Sequence, residues 1–227
     1  MATQDQKIEP LEHNADLGVY LRQTSQDSDC MKEIYFTQFN PKHRLLATAG
    51  NGFIAHLWDL RKDDYSDFKK KEIPHVRDQD EHDNQDTAVS SLHWNNAGDK
   101  LLTSSSDYVA RVWRVNSEGG VEIEKAKEFN ECLMQSKFCD EADHLVATGG
   151  LMSQIYVWDC SHPDCREVAC FDHSNIDPEF KGMEIEWQNA NHVAVAGKSQ
   201  FIYLWSIERP SAPLVKWVGH QKLVEQI

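Results

Sequence analysis

Four tryptophans, Trp58, Trp113, Trp158 and Trp205, each close a segment written to one pattern, and this repetition constrains the fold more than any other feature. The steps between them are 55, 45 and 47 residues. Each segment opens on a stretch ending in an aromatic: Phe39, Trp94, Phe138 and Trp187. A stretch of small and branched residues follows: Leu45-Leu46-Ala47-Thr48, Leu101-Leu102-Thr103, Leu145-Val146-Ala147-Thr148 and Val193-Ala194-Val195. Polar turn residues such as Asn40-Pro41 and Asn95-Asn96-Ala97-Gly98 separate the two. The run into each Trp alternates with period two, as in Phe201, Tyr203 and Trp205, which predicts strand. A repeat of this length is one supersecondary unit that buries its apolar face against a neighbour, so the sequence predicts an all-β stack of units.

These residues resemble Trp-Asp (WD) repeats, from about Met31 to the C-terminus. The signature pair stands at Trp58-Asp59 and Trp158-Asp159 and is replaced at Trp113-Arg114 and Trp205-Ser206. The resemblance implies a partial β-propeller of four four-stranded blades at 31–62, 86–116, 131–161 and 181–208, with the start of a fifth at 217–227. Residues 1–30 are expected to be poorly structured or to cap an edge. The longer first step implies an exposed polar insertion at 63–86, with some strand around Glu72–Val76.

Blades of this family often carry a buried hydrogen-bonded set of His, Ser/Thr, Asp and Trp. Thr48, Thr103 and Thr148 stand ten residues before their tryptophans, where the fourth segment has Val195. At the turn position six residues before Trp, Asp107 fits, whereas Gly52, Met152 and Ser199 do not. Asp107 is thus expected to orient its blade through Trp113 and Thr103. The family's Gly-His pair stands at Gly219-His220, with a weaker version at Asp172-His173. Incomplete sets predict reduced stability in blades one, three and four.

A closer resemblance, to the transducin beta-like 1 family of corepressor subunits, rests on three stretches. They are DTAVSSLHWNNAGDKLLTSSSDYVARVW at 86–113, GMEIEWQNANHVAVAGKSQFIYLW at 182–205 and ERPSAPLVKWVGH at 208–220. It implies a nuclear, non-catalytic scaffold in a histone deacetylase complex, contacting corepressor and deacetylase subunits and basic histone tails. That family also has about eight blades and an N-terminal helical dimerisation module, whereas Met1–Ser28 shows no long apolar helical period. Alternative readings are a substrate-receptor subunit of a ubiquitin ligase and a generic cytoplasmic scaffold.

A formal net charge of -14 opposes direct nucleic-acid binding and favours basic partners. No apolar run approaches the ~18–20 residues that span a bilayer, and the first residues lack a signal-peptide core. These features predict nucleus or cytoplasm, with the six cysteines as free thiols.

Cys160, His162, Cys165, Cys170 and His173 invite a metal reading, but steps of five between the cysteines lack the close pairing of zinc sites. Ala196-Gly197-Lys198-Ser199 resembles the end of a phosphate loop, yet lacks the upstream Gly and the following helix. The His and carboxylates of His75–Asp86 read as solvated, and Lys69-Lys70-Lys71 is too short for an import signal. No catalytic signature occurs and no cofactor is expected. Partner contacts are expected on loops at one end of the blades, at Glu33, Thr87, Asp107, Tyr108, Gln135 and Lys181. A partial ring has two open ends, so the expectation is a fragment of a longer protein, pairing with another chain to complete the propeller, or an arc capped by its own N-terminal segment.

Overall fold

The computed structural model describes residues 33–61, 69–75 and 88–218. The described residues form four antiparallel sheets of four strands, each a meander in sequence order. Blade one comprises β1 (Ile34–Phe39), β2 (Leu45–Gly50), β3 (Ile54–Asp59) and β4 (Lys69–Pro74). Blade two comprises β5 (Val89–Trp94), β6 (Lys100–Ser105), β7 (Val109–Val115) and β8 (Val121–Glu128). Blade three comprises β9 (Leu133–Cys139), β10 (Ala142–Gly150), β11 (Gln154–Asp159) and β12 (Arg166–Asp172). Blade four comprises β13 (Gly182–Asn189), β14 (His192–Gly197), β15 (Phe201–Ser206) and β16 (Val215–Val218).

The second strands explain their own composition. β2 is buried at every position, because both faces of the sheet are covered near its centre. Large side chains would push neighbouring sheets apart there, so Ala, Thr and Gly recur. The core is accordingly divided into layers between blades. One layer packs Ala47, Leu57 and Ile73 of blade one on Trp94, Leu101 and Trp113 of blade two. The next packs Leu102 and Val112 on Phe138, Val146 and Trp158. The third packs Ala147, Val157 and Phe171 on Val193, Tyr203 and Trp205. Every layer therefore sets the Trp-bearing face of one blade on the opposite face of the blade before it.

Turn residues tie the blades at one end. Asn40 Oδ1 accepts the amides of Lys42 and His43, while its Nδ2 donates across to Gly98 O at 2.8 Å. Asn95 repeats this, accepting from Lys100 N and donating to Asp143 Oδ2 of blade three. The signature aspartates close the next turn: Asp159 Oδ1 accepts Ser161 N, and Asp59 Oδ1 accepts Arg61 N. Where blade two has Arg114 instead, Asn116 Oδ1 takes that task, accepting from Glu118 N and Gly120 N.

The four outer strands lie beyond the blade bounds read from the sequence, at β4, β8, β12 and β16. β4 falls inside the stretch expected as an insertion and overlaps the strand expected around Glu72–Val76, carrying Lys70 and Lys71 in register with Trp58 and Leu57. Lysines mask its alternation because the outer strand is largely solvated. β16 overlaps the expected start of a fifth blade, yet pairs with β15 as the outer strand of blade four. Residues 219–227 lie outside the described residues.

Candidate interaction face

The meander gathers the turns between second and third strands, and the connections between blades, at one end of the stack. Buried seats lie beneath this end. In blade two, His75 follows β4 and reaches across the junction, its Nε2 2.7 Å from Thr103 Oγ1. Trp113 Nε1 donates to the same oxygen at 2.8 Å. His75 Nδ1 lies 3.0 Å from Ile73 O, which places its proton there, so the Thr103 hydroxyl donates to Nε2. Burial, with Arg111 nearby, drives the His75 pKa down to about 3, so the imidazole stays neutral.

Trp58 donates to Thr48 at 3.0 Å and Trp158 to Thr148 at 2.9 Å. In blade three no histidine arrives. A hydroxyl chain replaces it, from Ser104 to Ser136 at 2.5 Å and from Ser136 to Thr148 at 2.8 Å. Blade four, expected to be weakened by Val195, bypasses the missing hydroxyl: Trp205 Nε1 donates directly to His173 Nε2 at 3.1 Å. The turn carboxylate expected within that blade comes instead from the preceding connection, where Asp177 Oδ2 accepts from Ser199 at 2.5 Å and Tyr203 at 3.1 Å. His75 and Asp177 escape sequence reasoning because each stands in a connection and serves the following blade, and Ser136 because a hydroxyl on the first strand stands where the pattern expects a histidine. Asp172-His173 carried a visible signal.

Asp107 does not bond Thr103 or Trp113. It pairs with buried Arg111 at 2.7 Å and accepts Val109 N at 3.1 Å, because His75 already fills the Thr103 seat. Gln135 is likewise turned inward, donating to Glu184 and accepting the amide of Ile185. Neither side chain is on offer to a partner. Glu33 is exposed and accepts from Tyr35 at 2.6 Å, while Lys181 is half-buried and its carbonyl accepts Lys198 N. Thr87 and His220 lie outside the described residues.

Tyr108 is exposed, held at a φ of 73° in a turn where its N–H donates to Ser105 O and its carbonyl accepts Phe129 N. Leu151 and Met152, in the corresponding turn of blade three, are exposed as well, and so is Ile176 in the next connection. Sequence pattern gave no signal for these three, since isolated apolar residues in turns carry no periodicity. Beneath Met152, Glu131 is buried and accepts its amide, and burial raises the Glu131 pKa. The result is a rim of apolar side chains on turns fixed by buried hydrogen bonds.

Among the described residues no three His, Cys, Asp or Glu side chains converge to hold a metal ion. Cys160 and Cys165 lie in the layer between blades two and three, and burial pushes the Cys160 thiol up to about 11. Among the described residues no helix is long and apolar enough to cross a membrane.

No family model matches the chain. It is 24% identical over 198 residues to F-box-like/WD repeat-containing protein TBL1X of Mus musculus, covering 86% of this chain and 35% of that protein. With human TBL1Y it shares 23% over 221 residues, covering 96% and 40%. THO complex subunit 3 of Arabidopsis thaliana matches at 24% over 123 residues, or 53% of this chain and 37% of that one. The chain thus spans about a third of the length of the TBL1X relatives. Among solved structures, the β-propeller domain of Myceliophteria thermophila Cps50 (Swd1) superposes with a TM-score of 0.67 at 13% identity, covering 85% of this chain and 58% of that domain. The layered four-blade stack and these similarities together make the chain a stretch of WD-repeat β-propeller that resembles the TBL1 proteins.

Proposed function

We propose that the chain is a non-catalytic scaffold that docks protein partners on the rim formed by Tyr108, Leu151, Met152 and Ile176, as a nuclear subunit of a histone deacetylase corepressor complex. The observation that carries this reading is the exposure of those four apolar side chains at one end of the stack. Rigid turns present them, so little ordering entropy is lost on binding. The net charge of -14 favours partners with basic segments, histone tails included. Similarity to the TBL1 proteins supports the corepressor assignment, and similarity to a protein named as a complex subunit supports a role in assembly.

The test is affinity purification from nuclear extract with the wild-type chain and a Tyr108→Asp/Met152→Asp variant. The reading expects deacetylase subunits with wild type and a loss of at least tenfold with a variant of unchanged melting temperature. Cullin adaptors in their place would support the ubiquitin-ligase reading. Equal capture by both chains would remove the rim from the account.

A further inference from the structure

The turn after each second strand is fastened in the same way. Asn51 N donates to Glu33 O, Ser106 N to Ala88 O, Leu151 N to Cys132 O and Lys198 N to Lys181 O, so these four residues are equivalent. The residue that follows is Asp107 in blade two, Met152 in blade three and Ser199 in blade four, each bearing a side chain. Blade one has Gly52 there, which makes Asn51-Gly52 the one Asn-Gly pair in the sequence. Gly52 sits at a φ of 114°, where residues with a Cβ are strained, and the space that a Cβ would take is open.

Most asparagine carboxamides of the stack are held. Asn40 and Asn95 tie blades together, Asn116 Oδ1 accepts Glu118 N and Gly120 N, and Asn189 Oδ1 accepts Asn191 N and His192 N. Among the described residues, no hydrogen bond holds the carboxamides of Asn51, Asn130 and Asn175. Asn130 precedes Glu131 and Asn175 precedes Ile176, whose side chains shield the amide that follows the asparagine. Ile176 N is also committed, donating to His173 O at 3.0 Å. Asn51 is half-buried, so water reaches it. An unheld carboxamide, a glycine after it and open space beside that glycine therefore meet at one turn of blade one.

We propose that Asn51 is a deamidation site of the folded protein, and that its isoaspartyl product loosens the junction between blades one and two. Base removes the Gly52 N–H proton, and the nitrogen attacks Asn51 Cγ. A bond from that nitrogen to Cγ forms, the bond from Cγ to Nδ2 breaks, and the side-chain nitrogen takes up a proton and leaves as ammonia. Water then opens the cyclic imide. Opening at Cγ gives aspartate, and opening at the backbone carbonyl gives isoaspartate. Water is consumed, ammonia is released, and nothing is oxidised or reduced. Either product adds a negative charge to a chain already at -14. Isoaspartate also lengthens the backbone by a methylene between two ties, Asn51 N on Glu33 O at 2.9 Å and Val89 N on Gly52 O at 3.2 Å. The second of these joins blade one to the first strand of blade two. The inference is independent of the corepressor reading.

The experiment ages the native full chain in neutral to mildly alkaline buffer, digests it with trypsin and follows the peptides by chromatography and mass spectrometry. Peptide 45–61 carries Asn51 and no other Asn or Gln. It is expected to gain the mass of an amide-to-acid exchange and to split into two products, at a rate that rises with hydroxide concentration. The peptides carrying Asn130 and Asn175 are expected to convert more slowly. Conversion is expected to slow by about tenfold or more in Gly52→Ala, whose Cβ shields the nitrogen. Circular dichroism establishes that the variant folds; where it does not, Asn51→Gln replaces it, since the longer side chain closes a larger ring more slowly. Wild type is expected to lose melting temperature on ageing, and Gly52→Ala to keep its own. Peptide 45–61 that stays unconverted in the native chain overturns the proposal, as does conversion at the wild-type rate in Gly52→Ala. Conversion seen only in guanidinium shows that the fold protects Asn51 and overturns it as well. A converted chain of unchanged melting temperature overturns the loosening of the junction.

Discussion

The indole of Trp205 donates its N–H to Nε2 of His173 at 3.1 Å, with the two rings at 70° and 5.0 Å between centroids. Phe180 stacks on the other side of the imidazole, 3.9 Å away. His173 Nδ1 lies 3.1 Å from Ser153 O and so carries the proton. Both ring nitrogens are thereby committed in the neutral form, and protonation would bring two N–H groups face to face.

Acid should therefore loosen the stack. Burial lowers the pKa of His173 to about 4, as it does for His56 and, with Lys137, for His93, while His75 falls to about 3. Each folded value lies below the ordinary 6.5, so between 6.5 and that value the unfolded chain binds the extra proton. Stability is full above pH 6.5 and declines as pH falls toward about 4, by up to about 1.4 kcal/mol per pH unit for each histidine. Melting temperature should hold from pH 7.5 to about 6.5 and fall from there to pH 5, with a shallower slope in His173→Gln. A flat profile would show that these histidines are solvated.

The two ways of seating a tryptophan predict opposite responses to one exchange of side chains. Thr103→Val removes a hydroxyl that bonds both Trp113 and His75, leaving two buried polar atoms unpaired. The expected loss is about 3 kcal/mol by urea denaturation. Val195→Thr gives blade four the residue its relatives carry, but Trp205 already has its acceptor. The added hydroxyl is expected to destabilise by about 1 kcal/mol. A gain in stability would mean that the direct bond is inferior to the hydroxyl relay.

Removing Asp107 should be worse than removing its pair entirely. Asp107→Ala leaves the Arg111 guanidinium buried without its counter-ion, at a cost of about 3 kcal/mol. Adding Arg111→Met should restore most of that loss, as read from denaturation midpoints. Parity between single and double variants would place the ion pair in solvent.

Gly98 and Gly52 both have positive φ, 73° and 114°, but their surroundings differ. A Cβ on Gly98 would meet Asn40 Oδ1 at 2.6 Å, on the residue that ties blade one to blade two, whereas Gly52 has open space. Gly98→Ala is expected to cost about 3 kcal/mol and Gly52→Ala about 1 kcal/mol. Equal losses in thermal melts would reduce both to backbone strain alone.

The fold was legible because Trp58, Trp113, Trp158 and Trp205 repeat with their small-residue second strands, and both features are imposed by layer packing. The outer strands were legible only in part, as the strand expected around Glu72–Val76, since β4 and β16 are largely solvated and lose the alternation that burial enforces. The Trp–Thr bonds could be read by counting back ten residues. The inward turn of Gln135 and the help lent by Asp177 could not, because they depend on which side chains meet across a junction, and Asp107 is turned to Arg111 in its own blade because His75 from the preceding connection holds Thr103. The rim of Tyr108, Leu151, Met152 and Ile176 is assembled from three separate loops and has no linear signature.

Because the apolar core lies between blades, no blade owns the interior that stabilises it. A lesion at Trp113 or Val112 in blade two touches one of the two layers that blade shares, and losing the whole blade dissolves both. Among the described residues, blades one and four each share a single layer, with Trp205 at the centre of the one that blade four shares. Unfolding should then resemble the unzipping of a chain of coupled neighbours, with amide exchange quickest in blades one and four and slowest in blades two and three.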